Sequence, residues 1–190
     1  MIRSGIPALV LALIAPFAMF ILAESAQADN AITQGFGEGR WRTEVGAATG
    51  FHSGRRDRTG DIVVKGSLEY EWPIFARATL GLRTYPLFLY MQDDPEDTLA
   101  GGGLGIASRV YQNKDTRDGV FVEGGASVLF HSNHIEGNDA TMDFLLEGGL
   151  GYQFKSNWHV TLQVQHISNG GLSEDNAGAN SVGLAVGYTF

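Results

Sequence analysis

From Trp41 onward, apolar and polar residues alternate with a period of two, and the 3.6-residue period of an amphipathic helix is almost absent. Trp41-Thr43-Val45-Ala47 alternates with Arg42-Glu44-Gly46, and Ile62-Val64-Leu68-Tyr70-Trp72 with Lys65-Ser67-Glu69-Glu71. Ala76-Ala78-Leu80-Leu82 alternates with Arg77-Thr79-Gly81-Arg83, and, less regularly, Leu104-Ile106-Ser108-Val110 with Gly103-Gly105-Arg109. Val120-Val122-Ala126-Val128-Phe130 alternates with Glu123-Gly125-Ser127, and Phe144-Leu146-Leu150-Tyr152-Phe154 with Asp143-Glu147-Gln153. Trp158-Val160-Leu162-Val164 alternates with His159-Thr161-Gln163-Gln165, and Val182-Leu184-Val186-Tyr188-Phe190 with Ser181-Gly183-Gly187-Thr189. The pattern predicts eight strands, each near the roughly 9–11 residues that cross a bilayer at a tilt.

The polar face decides which kind of β protein this is. It carries Arg42, Glu44, Lys65, Glu69, Arg77, Arg83, Glu123, Asp143 and Glu147, mixed in sign. Such a face can pair with itself inside a narrow closed barrel while the apolar face meets lipid. A soluble barrel of the lipocalin kind would need an apolar inner face. The expected architecture is therefore all-β, an eight-stranded antiparallel transmembrane β-barrel. The connections agree with it. Phe51 to Gly60, Met91 to Thr98, His131 to Ala140 and Gly170 to Ala179 read as longer loops. They alternate with shorter turns around Pro73, at Gln112 to Asp118 and at Lys155-Ser156-Asn157. Outer-membrane barrels show this parity, with short periplasmic turns and longer external loops. Trp41, Trp72, Tyr152, Phe154, Trp158, Tyr188 and Phe190 stand near strand ends, where interfacial aromatics collect. Two places fit less well. Pro86 stands where the third strand should still run, so that strand should end early or bulge there. The turn at Pro73 lacks the Asn-Gly or Asp-Gly pair of a two-residue hairpin.

Composition narrows the classes further. The chain has 190 residues, a net charge of −8 and no cysteine. That length suits one domain. The net acidity argues against nucleic acid as a partner, because phosphate contacts need a surplus of Lys and Arg. The missing cysteines exclude a disulfide scaffold, a thiolate metal site and a cysteine nucleophile. At the start, Arg3 precedes an apolar stretch from Ile6 to Ala23, and Ala26-Gln27-Ala28 places small residues where a signal peptidase reads. This is the pattern of a secretory signal peptide cleaved after Ala28. Residues 1–28 are thus expected to be a signal peptide and residues 29–190 the barrel, delivered to the bacterial outer membrane.

The chemistry concentrates in Val164-Gln165-His166-Ile167-Ser168-Asn169-Gly170-Gly171-Leu172. Strand parity places His166 and Ser168 on the same outward face as Val160, Leu162 and Val164. Neither side chain suits contact with lipid alone, and both stand where the strand enters a long external loop. Two residues apart on a strand, their Cα atoms are roughly 6–7 Å apart, a gap an imidazole can bridge to a hydroxyl. Counting back from Phe190 along the outward face of the last strand reaches Asn180, on the antiparallel neighbour. A Ser–His pair with a third side chain orienting the imidazole is a constellation for acyl transfer.

His166-Ile167-Ser168-Asn169-Gly170-Gly171-Leu172, followed by Asn176-Ala177-Gly178, resembles the signature of the lipid A 3-O-deacylase (PagL) family. The resemblance implies an outer-membrane hydrolase that cleaves the ester holding the 3-position acyl chain of lipid A, with lipopolysaccharide as substrate and no cofactor. It implies Ser168 as nucleophile and His166 as general base. It implies an oxyanion hole from the Asn176 side chain with backbone N–H groups near Gly170 and Gly171, and a supporting hydrogen-bonding role for Asn169. One position departs from the family. A glutamate is expected fourteen residues after the histidine, and Asn180 stands there. Asparagine can accept the Nδ1 proton but supplies no negative charge. Glu174, or its neighbour Asp175, in the adjoining loop is the alternative acid. A barrel that has lost catalysis, with an envelope-stabilising or surface-binding role, is the alternative function.

Other clusters carry less. Arg55-Arg56-Asp57-Arg58 lies in the first external loop, and arginine forks suit the phosphates of lipid A, so Arg55, Arg56 and Arg58 are candidate contacts. The ordinary reading is a solvated charged loop. His131-Ser132-Asn133-His134 lacks the further ligands of a metal site, and no metal is expected. Asp93, Asp94, Glu96 and Asp97 read as a solvated acidic loop.

Overall fold

The computed structural model describes residues 38–190 apart from 53, 54 and 115, so the expected signal peptide lies outside the described residues. Eight strands follow one another: β1 (Arg40–Gly50), β2 (Ile62–Pro73), β3 (Ala78–Gln92), β4 (Asp97–Tyr111), β5 (Gly119–His131), β6 (Met142–Gln153), β7 (Trp158–Ser168) and β8 (Ala179–Thr189). Each pairs antiparallel with its sequence neighbours, and β8 returns to β1, closing the barrel. Reciprocal backbone bonds between Trp41 and Phe190, 2.9 and 2.8 Å, carry the closure to the last residue. Closure leaves no unpaired strand edge, which a lipid environment requires.

The expected alternation is present in the side chains. Val45, Leu82, Leu104, Ile106, Leu150, Leu162, Leu184 and Val186 are exposed on the outside. Arg42, Glu44, Lys65, Glu69, Glu71, Arg83, Arg109, Glu123 and Glu147 are buried inside. Arg42 donates to Gln153 at 3.0 Å and lies over the Phe121 ring at 5.0 Å; the other inner charges form one network. Arg83 donates to Glu69 at 2.7 Å and to Glu147 at 3.1 Å, and Arg109 joins Glu69, Glu71 and Glu123. Lys65 pairs with Glu147, and Gln163 bridges Glu44 and Glu123 at 2.8 and 3.1 Å. Buried charges are tolerated only when paired in this way. Around the rim where β1 begins and β8 ends, aromatic rings meet edge to face: Trp41–Tyr70, Tyr70–Trp72 and Tyr152–Phe154, each at 4.9 Å, and Trp158–Tyr188 at 5.4 Å. This is the girdle expected of an outer-membrane barrel.

Two details differ from the expectation, and at Pro86 the strand takes the bulge of the two alternatives. Arg77 is not in a strand; β3 begins at Ala78 and Arg77 lies in the turn before it. The acidic stretch is not a loop from Met91 to Thr98. β3 and β4 continue to a tight turn, Gln92 pairing with Asp97. β3 survives Pro86 because the register with β4 shifts between Tyr85 and Phe88. A proline lacks the ladder donor, and a bulge is where that lack does no harm. The bulge also reverses the parity. Arg83 and Tyr85 point inward before it, and Phe88, Tyr90 and Gln92 point inward after it.

That reversal builds a second layer inside. Ala48, Val63, Phe88, Tyr90, Leu99, Leu129, Leu145, Ile167 and Ala179, all toward the loop-bearing ends of their strands, pack with Tyr85 and Ile135 of the β5–β6 loop into an apolar plug. The loops at this end, the described part of 51–61, and 93–96, 132–141 and 169–178, lie on the plug side of the barrel; by the length rule for outer-membrane barrels this is the external end.

Candidate active site

β7 leaves the barrel wall at Ser168, and β8 enters it at Ala179. Their register pairs His166 with Asn180 and Ile167 with Ala179. Ile167 is anchored in the apolar plug. The pleat then turns its neighbours His166 and Ser168, both half-buried, to the opposite, outward face. His166 Nδ1 lies 2.9 Å from Asn180 Oδ1. An amide oxygen only accepts, so Nδ1 carries the proton and the lone pair stands on Nε2. Asn180 is 4% exposed, and its backbone carbonyl accepts from Phe51 N at 3.1 Å, which ties the first external loop to this strand end.

The loop that follows is organised by Asn169, whose side chain is fully buried. Its amide nitrogen faces Ser173 Oγ at 2.5 Å, Asp175 O at 2.6 Å and the carbonyl of Asn138. Its Oδ1 accepts from Gly171 N at 2.8 Å, and its own N–H donates to Asn176 Oδ1 at 3.3 Å. Gly170 and Gly171 have φ of 67° and 83°, the left-handed region that favours glycine. A Cβ on Gly170 would touch the Phe144 ring at 3.0 Å, whereas one on Gly171 would meet nothing within 4 Å. The surface beside Ser168, whose β6 partner is Phe144, is therefore open above the glycine turn and apolar beneath it.

The donors left over differ slightly from the expected set. Gly171 N–H is spent on Asn169 Oδ1. Among the described residues, Gly170 N–H and the Asn176 amide nitrogen have no hydrogen-bond partner, and both belong to the turn that follows Ser168. Glu174 is exposed and, among the described residues, bonds to nothing; Asp175 pairs with Arg55 at 3.2 Å. Neither carboxylate contacts His166.

The three arginines of the first external loop separate. Arg55 is exposed, and Arg56 is partly exposed beside Glu136 at 3.4 Å. Arg58 does not belong with them. It is 1% exposed, donating to Gly178 O at 3.1 Å and Glu136 O at 2.6 Å, and the interior withdraws it from any phosphate outside. His131 faces Asp143 at 3.1 Å, His134 is exposed, and no group of three or more metal-ligating side chains occurs among the described residues. Two buried residues of the site, Asn138 and Arg58 in its loop-holding position, are not signalled by any local pattern. Their partners lie far away in sequence.

The family described as lipid A 3-O-deacylase (PagL) matches residues 64–189, which include every residue of the β7–β8 site. The crystal structure of the outer membrane enzyme PagL is similar at a TM-score of 0.63 and 16% identity, covering 77% of this chain and 98% of that one. The crystal structure of Neisserial surface protein A (NspA) is similar at a TM-score of 0.52 and 13% identity, covering 82% and 99%. These structural likenesses show the fold. Among curated proteins, none matches.

Proposed function

The chain belongs to the lipid A 3-O-deacylase (PagL) family of outer-membrane ester hydrolases, and from that premise we propose that it hydrolyses the 3-O-linked acyl ester of lipid A, with Ser168 as nucleophile and His166 as general base. The observation that carries the reading is the 2.9 Å contact between His166 Nδ1 and Asn180 Oδ1, on the outward face that also bears Ser168. Holding the proton on Nδ1 leaves Nε2 to take the hydroxyl proton of Ser168.

The steps balance without a cofactor. Ser168 Oγ attacks the ester carbonyl carbon as its proton passes to Nε2. The oxyanion is met by the Asn176 amide and Gly170 N–H, donors not already used within the loop. Collapse breaks the bond to the sugar oxygen, which takes the proton from the imidazolium. Water, deprotonated by the same Nε2, then releases the hydroxy fatty acid and restores Ser168. Facing outward at the external end, the pair meets a lipid ester in the outer leaflet without drawing the substrate into the filled barrel. Arg55 and Arg56 are placed to take lipid A phosphates. Exposed ion pairs like theirs with Asp175 and Glu136 contribute only about 0–1 kcal/mol, so a phosphate can displace them.

The test is the lipid A mass spectrum of cells expressing wild type beside Ser168→Ala. Loss of one hydroxyacyl mass with wild type alone is the expected result. Identical spectra from two barrels folded in the outer membrane would overturn the proposal and favour the non-catalytic barrel, which the neutral Asn180 supports; that barrel would not react with a serine-directed phosphonate.

A further inference from the structure

Gly178 packs against the catalytic imidazole. A Cβ there would lie 3.1 Å from His166 Cε1, and its φ of 73° is left-handed, so both space and conformation call for glycine. Its peptide groups are held from two sides. Gly178 N–H donates to Asn138 Oδ1 at 2.9 Å, and Gly178 C=O accepts from Arg58 Nε at 3.1 Å. Asn138 is fully buried in the β5–β6 loop and Arg58 is buried in the β1–β2 loop. The same Asn138 presents its carbonyl to Asn169 Nδ2 and, at 2.8 Å, to Ser173 Oγ. The second arm of Arg58 reaches Glu136 O at 2.6 Å, binding its loop to the one that carries Asn138. Ala177 N–H completes the seam on Gly137 O at 2.7 Å.

Resting on the esterase reading, we infer that Asn138 and Arg58 are positioning residues that clamp the Gly178 peptide against His166 and so hold the imidazole toward Ser168. Asn180 sets the imidazole by its edge, and the clamped glycine backs it on the Cε1 side, where a side chain would crowd it. Two loops distant in sequence thus reach the chemistry without touching substrate. The buried Arg58 guanidinium also lies 3.8 Å from the buried Asp61 carboxylate, which offsets its charge. An arginine at the external end of an acidic chain would ordinarily be solvated, and here it is spent on two carbonyls.

The test uses purified full-length barrel in detergent micelles with 3-O-acylated lipid A. It measures kcat, KM and the rate at which a fluorophosphonate labels Ser168, with folding followed by heat-modifiable gel migration. Asn138→Ala and Arg58→Ala should lower kcat by about 10–100-fold, the scale of a misplaced catalytic group. KM should stay within about threefold, and labelling should slow in parallel with kcat. Arg58→Lys, whose ammonium cannot bridge both carbonyls as a fork does, should fall between wild type and Arg58→Ala. Folded variants with wild-type kcat and labelling would overturn the inference. Should Asn138→Ala fail to fold, Arg58→Lys is judged by the same criterion. A wild type that neither hydrolyses nor labels overturns the esterase reading itself, a result distinct from active wild type with unimpaired variants.

Discussion

At the scale of the residue, the site turns on an amide oxygen standing where the family carries a carboxylate. Asn180 Oδ1 keeps the His166 proton on Nδ1, so the wrong-tautomer defect that costs a serine protease about 10⁴-fold when its aspartate becomes asparagine is avoided. In the proposed mechanism, what is missing is charge opposite the imidazolium that would form as Ser168 is deprotonated. Buried at 4% exposure, a carboxylate here would act through a low dielectric. Asn180→Glu should therefore raise kcat, by about tenfold for each 1.4 kcal/mol of added stabilisation, with KM little changed. Steady-state kinetics on lipid A checks it. A collapse of activity in the folded variant would mean that the amide has a role an acid cannot fill. Asn180→Leu should remove activity, since nothing would then hold the tautomer. Parity along β7 and β8 is enough to place His166, Ser168 and Asn180 on one face, because a strand carries its side-chain direction in its own period. The clamp on Gly178 is not legible that way. Arg58 and Gly178 are 120 residues apart, and nothing local to Arg58 distinguishes it from Arg55 or Arg56.

At the scale of the element, β3 is the strand where local pattern and structure part. A reading by simple alternation runs out at Pro86, yet the strand goes on to Gln92 with its inward and outward positions exchanged. The exchange sends Phe88 and Tyr90 into the plug under the external loops, Tyr90 donating to Asp61 at 2.6 Å. Replacing Phe88 and Tyr90 together by alanine would remove both rings from the plug, and with them the Tyr90 bond to Asp61. The expected result is a barrel whose external loops lose their seat. Limited proteolysis should cut the 51–61 and 132–141 loops faster than in wild type, and deacylation should fall. Unchanged protection would show that the plug does not support the loops. The same bulge explains why the acidic residues form a tight turn. Once β3 and β4 pair as far as Gln92 and Asp97, only 93–96 remain to connect them.

At the scale of the whole molecule, the arrangement is that of a protein turned inside out relative to a soluble barrel. The inner ion network is specific more than it is strongly stabilising, because desolvation offsets much of the attraction. The outside is held by lipid. Leu162 and Leu184, paired across β7 and β8 and more than half exposed, lie near the middle of their strands. Leu184→Arg should destabilise the barrel by about 2–4 kcal/mol if it sits at the bilayer midplane, read as a lower urea midpoint in liposomes. A neutral effect would contradict the lipid-facing assignment of that wall.

Strand number, the inside and outside of each strand except β3 beyond Pro86, the antiparallel hairpin order and the family of the β7–β8 motif all follow from residue pattern, because each depends on neighbours two residues apart or on one short stretch. The parity flip at Pro86 depends on how β3 pairs with its neighbours, and the loss of Arg58 to the interior and the clamp of Asn138 and Arg58 on Gly178 depend on how separate loops settle on a shared apolar plug. Only closing the barrel brings 58, 138 and 178 together. Burial, not residue type, then decides that one arginine holds two carbonyls while its two neighbours stay solvent-accessible.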